Sequence, residues 1–316
     1  MGSKRYGNLD GVVNDKSFLD VMKWMRNRPK KAVRWNVPQH AAKRQEWLRS
    51  NRTECSVTWI GHSTFLIQYA GLNIVTDPVW ASRMGMARRL TEPGLKLGEL
   101  PPVDIVLISH SHYDHLHYDS LLRLPGKPAV FVPDGLGLAV RQRGIDTVAE
   151  LPWWGKTKAG GVAFSFVPAQ HWTRRSPWDM NTSHWGGWVI GREGEGAENG
   201  RGRSIYYAGD SGYFRGFRDI GERFRIGTAL LPIGAYEPEW FMQVSHMTPE
   251  EAVQAFEELG AETFVPMHYG AFMLADDTPE EAVRRLQAEW TRRGLPAEAL
   301  RLLELGETWI PGNFEE

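Results

Sequence analysis

From position 56 onward the chain sets short apolar runs between polar, glycine-bearing and proline-bearing breaks. Runs at 57–60, 65–69, 72–76, 105–108, 129–132, 162–167, 188–190, 205–208, 229–232 and 263–266 are rich in β-branched and aromatic residues, which predicts strands. Apolar residues recur with helical period at 118–124, 136–143, 249–259 and 279–292. Before residue 55 the pattern weakens, with helices predicted near 18–27 and 38–50. Strands mixed with helices and no intervening linker predict one layered α/β body over 55–316, with residues 1–54 as an extension packed onto it. The biased stretch 191–203 (GREGEGAENGRGR) reads as a solvated hairpin loop or, less simply, a lid.

An apolar fraction of 42% over 316 residues is enough for a large core. Lys and Arg total 37 against 38 for Asp and Glu, so no global field draws the chain to nucleic acid, and a charged substrate must be recognised locally. A single cysteine, Cys55, excludes an internal disulfide and fits a reducing, cytoplasmic setting. No stretch approaches the roughly 18 apolar residues of a membrane span, so any lipid contact is expected to be peripheral. The basic stretch holding Arg26, Arg28, Lys30, Lys31 and Arg34 is either a contact for anionic head groups or a solvated charge run.

The candidate chemistry lies in LISHSHYDHLHYDSL, directly after the apolar run at 103–108, where four of the chain's ten histidines fall. On a loop leaving a strand, His110 and His112 can point one way while the turn that follows aims Asp114 and His115 at a second point nearby. Imidazole and carboxylate suit borderline divalent metals, and a site with three protein ligands keeps a position open for water. Further ligands are expected at later strand ends, where His171 closes FSFVPAQHW, Asp210 closes SIYYAGDSGY and His268 closes TFVPMHYG. No GxSxG elbow occurs, which disfavours a covalent serine mechanism.

HxHxDH with distant His, Asp and His resembles the metallo-β-lactamase superfamily. The segments TWIGHSTFLIQYAGLNIVTDPVWASR, PAQHWTRR, YYAGDSGY, LLPIGAYEPEWFM, HMTPEEAV and HYGAF narrow the likeness to the N-acylphosphatidylethanolamine-hydrolysing phospholipases D, in the same order along the chain. The resemblance implies a four-layer αββα sandwich. It implies two zinc ions, with manganese or iron as alternatives: one held by His110, His112 and His171, the other by Asp114, His115 and His268, with Asp210 bridging. Water activated between the ions would cleave a phosphodiester to N-acylethanolamine and phosphatidic acid. Asp114, Asp210 and His246 are then the catalytic candidates.

Arg174, favoured over Arg175, is expected at the substrate phosphate, together with Tyr113 and His246. His246 alternatively serves as proton donor or helix-start residue, and His62 and Asp77 are expected behind the ligands, though turn capping accounts equally well for Asp77. Fourteen tryptophans could line an acyl channel, meet a bilayer or fill the core. A homodimer is implied by resemblance alone. The alternatives are a binuclear hydrolase of a sugar-phosphate lactone or small phosphodiester, with a small Arg-rich pocket, and a metal-dependent binding protein without turnover.

Overall fold

The computed structural model describes residues 4–29, 31–192 and 203–312, with Phe18 described in backbone only. Its strands are β1 Ser56–Gly61, β2 Thr64–Tyr69, β3 Leu72–Thr76, β4 Arg83–Met84, β5 Ala87–Arg88, β6 Val103–Leu107, β7 Gly126–Pro133, β8 Val148–Leu151, β9 Lys156–Ala159, β10 Val162–Val167, β11 Gly187–Arg192, β12 Ser204–Tyr207, β13 Ile226–Pro232, β14 Thr263–Met267 and β15 Thr308–Trp309. The helices are α1 Phe18–Asn27, α2 Gln45–Ser50, α3 Tyr118–Leu122, α4 Gly137–Arg141, α5 Gly216–Arg223, α6 Glu239–Met242, α7 Pro249–Glu258 and α8 Pro279–Arg292.

One sheet runs β15-β1-β2-β3-β6-β7-β8 and a second runs β14-β13-β12-β11-β10-β9, with β4-β5 as a separate hairpin. Alternation along β2 shows how the layers form. Phe65, Ile67 and Tyr69 enter the large cluster shared with Phe164, Phe166 and Trp188 of the second sheet. Leu66 instead joins Val75, Val106 and Val130 in the outer cluster beneath Leu48, Leu121 and Val140 of α2, α3 and α4. On the far side, Phe256 of α7 and Trp290 of α8 pack on Phe264 of β14. The result is the αββα sandwich, and because both faces of each sheet are covered, strands such as β13 are buried along their whole length.

The helix expected at 38–50 is shorter, Gln45–Ser50. The residues before it stay extended because Pro38 and His40 exchange backbone hydrogen bonds with Leu305 (both 2.9 Å), which commits those groups to pairing. α1 begins at a reciprocal Ser17–Asp20 capping box. It is tied to the body by Trp24 Nε1 and Arg28 Nε, which donate to Asp276 at 2.8 and 2.9 Å, and by stacking of Trp24 on Phe241. Most of the biased stretch expected as a hairpin loop lies outside the described residues; β11 and β12, which flank it, pair antiparallel. Among the described residues no helix is long and apolar enough to cross a membrane.

Candidate metal centre

The candidate residues meet at one edge of the sandwich because each follows the end of a strand: His62 follows β1, Asp77 β3, His110 β6, His171 β10, Asp210 β12 and His268 β14. β3 and β6 run parallel, as do β12, β13 and β14, so their carboxyl ends collect there. His62, Asp77 and His268 all take left-handed backbone conformations, with φ of 57°, 31° and 61°. Such conformations cost non-glycine residues energy and cluster where side chains must be aimed. Gly209, just before Asp210, stands at φ +63°, and a Cβ there would lie 2.5 Å from that of Ser109. Only glycine lets the Asp210 turn approach the histidine loop so closely.

Two groups of donor atoms form. His112 Nδ1 lies 2.9 Å from His110 Nε2 and 3.1 Å from His171 Nε2. In the second group, Asp210 Oδ2 is 3.1 Å from both His115 Nε2 and His268 Nε2, while Asp114 Oδ2 is 3.4 and 3.5 Å from the same nitrogens. Asp210 Oδ2 also lies 4.0 and 3.9 Å from His110 and His171 Nε2, which places it between the groups.

The neighbours of these side chains set which ring nitrogen is free. His115 Nδ1 donates to Asp77 Oδ2 at 2.6 Å, and His171 Nδ1 donates to the Ser245 carbonyl at 2.9 Å. Ser109 Oγ donates to Asp77 at 2.5 Å and accepts from His110 Nδ1 at 2.9 Å. In each case Nε2 is the ring nitrogen left facing the centre.

The donor set fits divalent metal. His115 Nε2, His268 Nε2 and Asp210 Oδ1 are buried without a hydrogen-bond partner, although polar side chains surround them. Spacings of 3.1 to 3.5 Å between the His115 and His268 Nε2 atoms and the Oδ2 atoms of Asp210 and Asp114 suit ligands about 2.0–2.2 Å from one shared ion. Titration behaviour points the same way. Burial works against charge, but Asp210 and Asp114 outweigh it, holding His115 well above its ordinary range and His268 up to about 9. Those imidazoles in turn keep both carboxylates well below theirs, again against burial. Burial, with neighbouring imidazoles adding to it, pushes His110 and His171 well below the usual range, and burial lowers His112 to about 4.

His62 Nε2 donates to Asp114 Oδ2 at 2.9 Å, and its ring lies 4.2 Å from that of His268. Burial and His268 push His62 down to about 3. His246 precedes the Thr248–Glu251 capping box that starts α7. Its Nδ1 lies 3.9 Å from Asp210 Oδ2, and burial lowers it to about 4, so it enters the site as a neutral imidazole. The structure separates the two arginines. Arg175 Nη1 donates to the carbonyls of Ser111 and Leu116 (2.6 and 2.8 Å) and its guanidinium covers the Tyr113 ring, so it pins the histidine loop. Arg174 is exposed on the wall of the cavity above the centre.

That cavity measures about 880 Å³ and has Asp114, Asp210 and His268 among its lining. Val21, Trp24, Met84, Trp172, Phe241 and Leu274 give it an apolar wall; Lys16, Arg83 and Arg174 are its cations, and Tyr113 and His246 also face it. Val21 and Trp24 belong to α1, so the amino-terminal segment encloses the cavity, a role its weak sequence pattern did not announce.

The fold and this site define a member of the metallo-β-lactamase superfamily, and residues 72–269 match the Beta-lactamase superfamily domain. The chain belongs to that superfamily and is a metal-dependent hydrolase. It is 33% identical over 279 residues to N-acyl-phosphatidylethanolamine-hydrolyzing phospholipase D 1 of Caenorhabditis elegans, covering 80% of this chain and 74% of the worm protein. It is 35% identical to the mitochondrial enzyme of that name from Saccharomyces cerevisiae, over 75% of this chain and 53% of the yeast protein. Among solved structures it resembles the metallo hydrolase Igni18 of Ignicoccus hospitalis, with a TM-score of 0.60 and 26% identity over 81% of this chain and 98% of the other.

Proposed function

We propose that the chain is a two-metal phosphodiesterase of phospholipase D type, acting on N-acylphosphatidylethanolamine. The observation that carries this reading is the position of the paired ligand groups beneath a large cavity with an extensive apolar wall, to which Trp24, Trp172 and Phe241 contribute. A sugar-phosphate lactone or small phosphodiester would favour a small polar pocket rich in arginine. The names of the worm and yeast relatives support the lipid.

In this reading His110, His112 and His171 would hold one ion and Asp114, His115 and His268 the other, with Asp210 placed to serve both. Two divalent ions so placed, zinc by preference, supply an activated water and charge neutralisation at phosphorus. The chain's own residues do the rest. Arg174 binds the phosphate as an exposed cation, and the ring of Tyr113 borders the entry. His246, held neutral, offers one N–H to a phosphoryl or leaving-group oxygen. Trp24, Trp172 and Phe241 receive acyl chains and exclude water. His62 and Asp77 act behind the ligands, His62 on Asp114 and Asp77 on His115.

Apolar side chains exposed on the elements around the cavity, Leu19, Met22 and Met25 of α1, Met86 beyond β4 and Trp178, form the peripheral membrane contact of this proposal. Residues 1–54 then act as the outer wall of a site whose chemistry lies in 55–316. The test is mass-spectrometric detection of N-acylethanolamine and phosphatidic acid from the metal-loaded protein, with His112→Ala as control. Release that vanishes in the control supports the reading. No release from a protein holding two ions retains the hydrolase and removes the lipid.

A further inference from the structure

The backbone of His171 lies beyond the end of β10, where no strand pairs with it, yet its amide and carbonyl are both satisfied by one side chain from the far end of the sequence. His171 N donates to Asn8 Oδ1 at 2.9 Å, and Asn8 Nδ2 donates to the His171 carbonyl at 3.0 Å. Asn8 thus bridges His171 as a neighbouring strand would. Its own placement is fixed independently. Trp185 Nε1 donates to the same Oδ1 at 2.9 Å and Asn8 Nδ2 donates to the Val12 carbonyl at 3.0 Å, so the amide can sit only one way round.

The same segment reaches the second support of this histidine. Asn14 Nδ2 approaches Ser245 Oγ at 3.4 Å, and the Ser245 carbonyl accepts the His171 ring N–H. The segment is anchored on either side of Asn8: Tyr6 N donates to the Asn181 carbonyl at 2.9 Å, and Asp10 pairs with Arg215 at 2.8 Å.

We infer that Asn8 is a positioning residue of the metal centre, which holds the main chain of His171 so that its Nε2 faces His110 and His112. The inference rests on the metal reading above. The amino-terminal segment is then part of the centre as well as a wall of the cavity. Partners that orient a metal ligand typically contribute 10- to 100-fold to affinity. The effect should be confined to the ion that His171 shares with His110 and His112, because among the described residues no hydrogen bond or ion pair from this segment reaches Asp114, His115 or His268.

The test is competition between the full-length, zinc-loaded protein and a fluorescent chelator, resolving the two ions, for wild type, Asn8→Ala, the near-isosteric Asn8→Leu and Asp10→Ala. Both Asn8 variants should lose one ion about 10-fold more readily and keep the other as wild type does, with Asp10→Ala unchanged. A variant that only loosens the fold would release both ions together. Equal loss of both ions, no change in either Asn8 variant, or the same selective loss in Asp10→Ala would overturn the inference. A wild-type chain that takes up no zinc would overturn the metal reading, and this inference with it.

Discussion

Asp77 and His115 meet at 2.6 Å in the sealed interior, the carboxylate oxygen accepting the ring N–H on the side away from the cavity. The same oxygen accepts from Ser109 Oγ and Tyr207 Oη, both at 2.5 Å, and the other oxygen takes the Ser109 amide at 2.7 Å. Through Ser109, which also accepts from His110, one buried acid orients a histidine in each ligand group.

Replacing that acid with its amide breaks the arrangement, because an asparagine must turn its NH₂ toward donors whichever way it lies. Asp77→Asn is expected to weaken metal binding 10- to 100-fold and to lower stability by roughly 3 kcal/mol, the cost of leaving buried donors unpaired. Chelator competition and urea denaturation check the two effects separately.

Asp210 is the residue whose carboxylate lies between both groups. Asp210→Asn removes the shared negative charge and should lower turnover more than 100-fold while loosening both ions. Metal analysis after dialysis, together with the rate on the accepted substrate, decides it. Near wild-type activity would remove Asp210 from the bridging role.

The metal-free protein should show a distinctive pH response. His268 is held up to about 9 and His115 well above the ordinary imidazole value, by Asp210 and Asp114 against burial. Their contribution is therefore fully present below about pH 6.5 and is lost as pH rises through the folded values, at up to roughly 1.4 kcal/mol per pH unit for each proton. The depressed carboxylates give a constant contribution above about pH 4 and do not alter the slope there. With metal bound the same histidines act as neutral ligands, and deprotonation favours binding. Urea midpoints from pH 6.5 to 9 should fall for chelator-treated protein and hold or rise for the zinc-loaded form.

Much of the sandwich is legible in the sequence because buried strands are dense in apolar residues: β3 and β10 and helices α1 and α8 have the bounds their patterns predict. Edge elements carry little such signal. Lys156–Ala159 is an edge strand with alternate lysines exposed, and the two-residue β15 exists only because β1 is there to pair with it. The candidate ligands stood out because four of the ten histidines crowd into one short stretch with Asp114, and His171, Asp210 and His268 each close a later apolar run. Asn8 did not, because an asparagine before LDG reads as a turn residue, and its bonds to His171 cross 163 positions.

The two adjacent arginines should separate cleanly. Arg174→Ala removes an exposed cation from the cavity wall and is expected to raise KM for an anionic substrate about 10-fold without changing Tm, since a charge-assisted hydrogen bond contributes roughly 1.5–3 kcal/mol. Arg175→Ala strips two carbonyls of the histidine loop of their donor and uncovers Tyr113. It should cost about 2 kcal/mol of stability and lower kcat. Melting curves alongside steady-state kinetics distinguish binding from support.

The outward face of α1 offers the last test. Leu19, Met22 and Met25 are 77%, 50% and 52% exposed, at a spacing that keeps them near one side of the helix, while Val21 and Trp24 turn to the cavity. Lys16 and Lys23 lie over the Trp240 ring at 5.8 and 5.1 Å, and Arg26 is exposed on the same helix, so the apolar residues are bordered by cations. A face of this kind inserts shallowly into a membrane, and each basic residue near an anionic surface adds about 1 kcal/mol. Changing Leu19, Met22 and Met25 together to serine should weaken sedimentation with anionic vesicles more than 10-fold, since burying even part of each side chain contributes about 1 kcal/mol. Activity on detergent-dispersed substrate should be retained, because none of the three lines the cavity. Vesicle binding equal to wild type would leave α1 as a wall only, whereas loss of activity in detergent would show that the outward residues hold the helix in place.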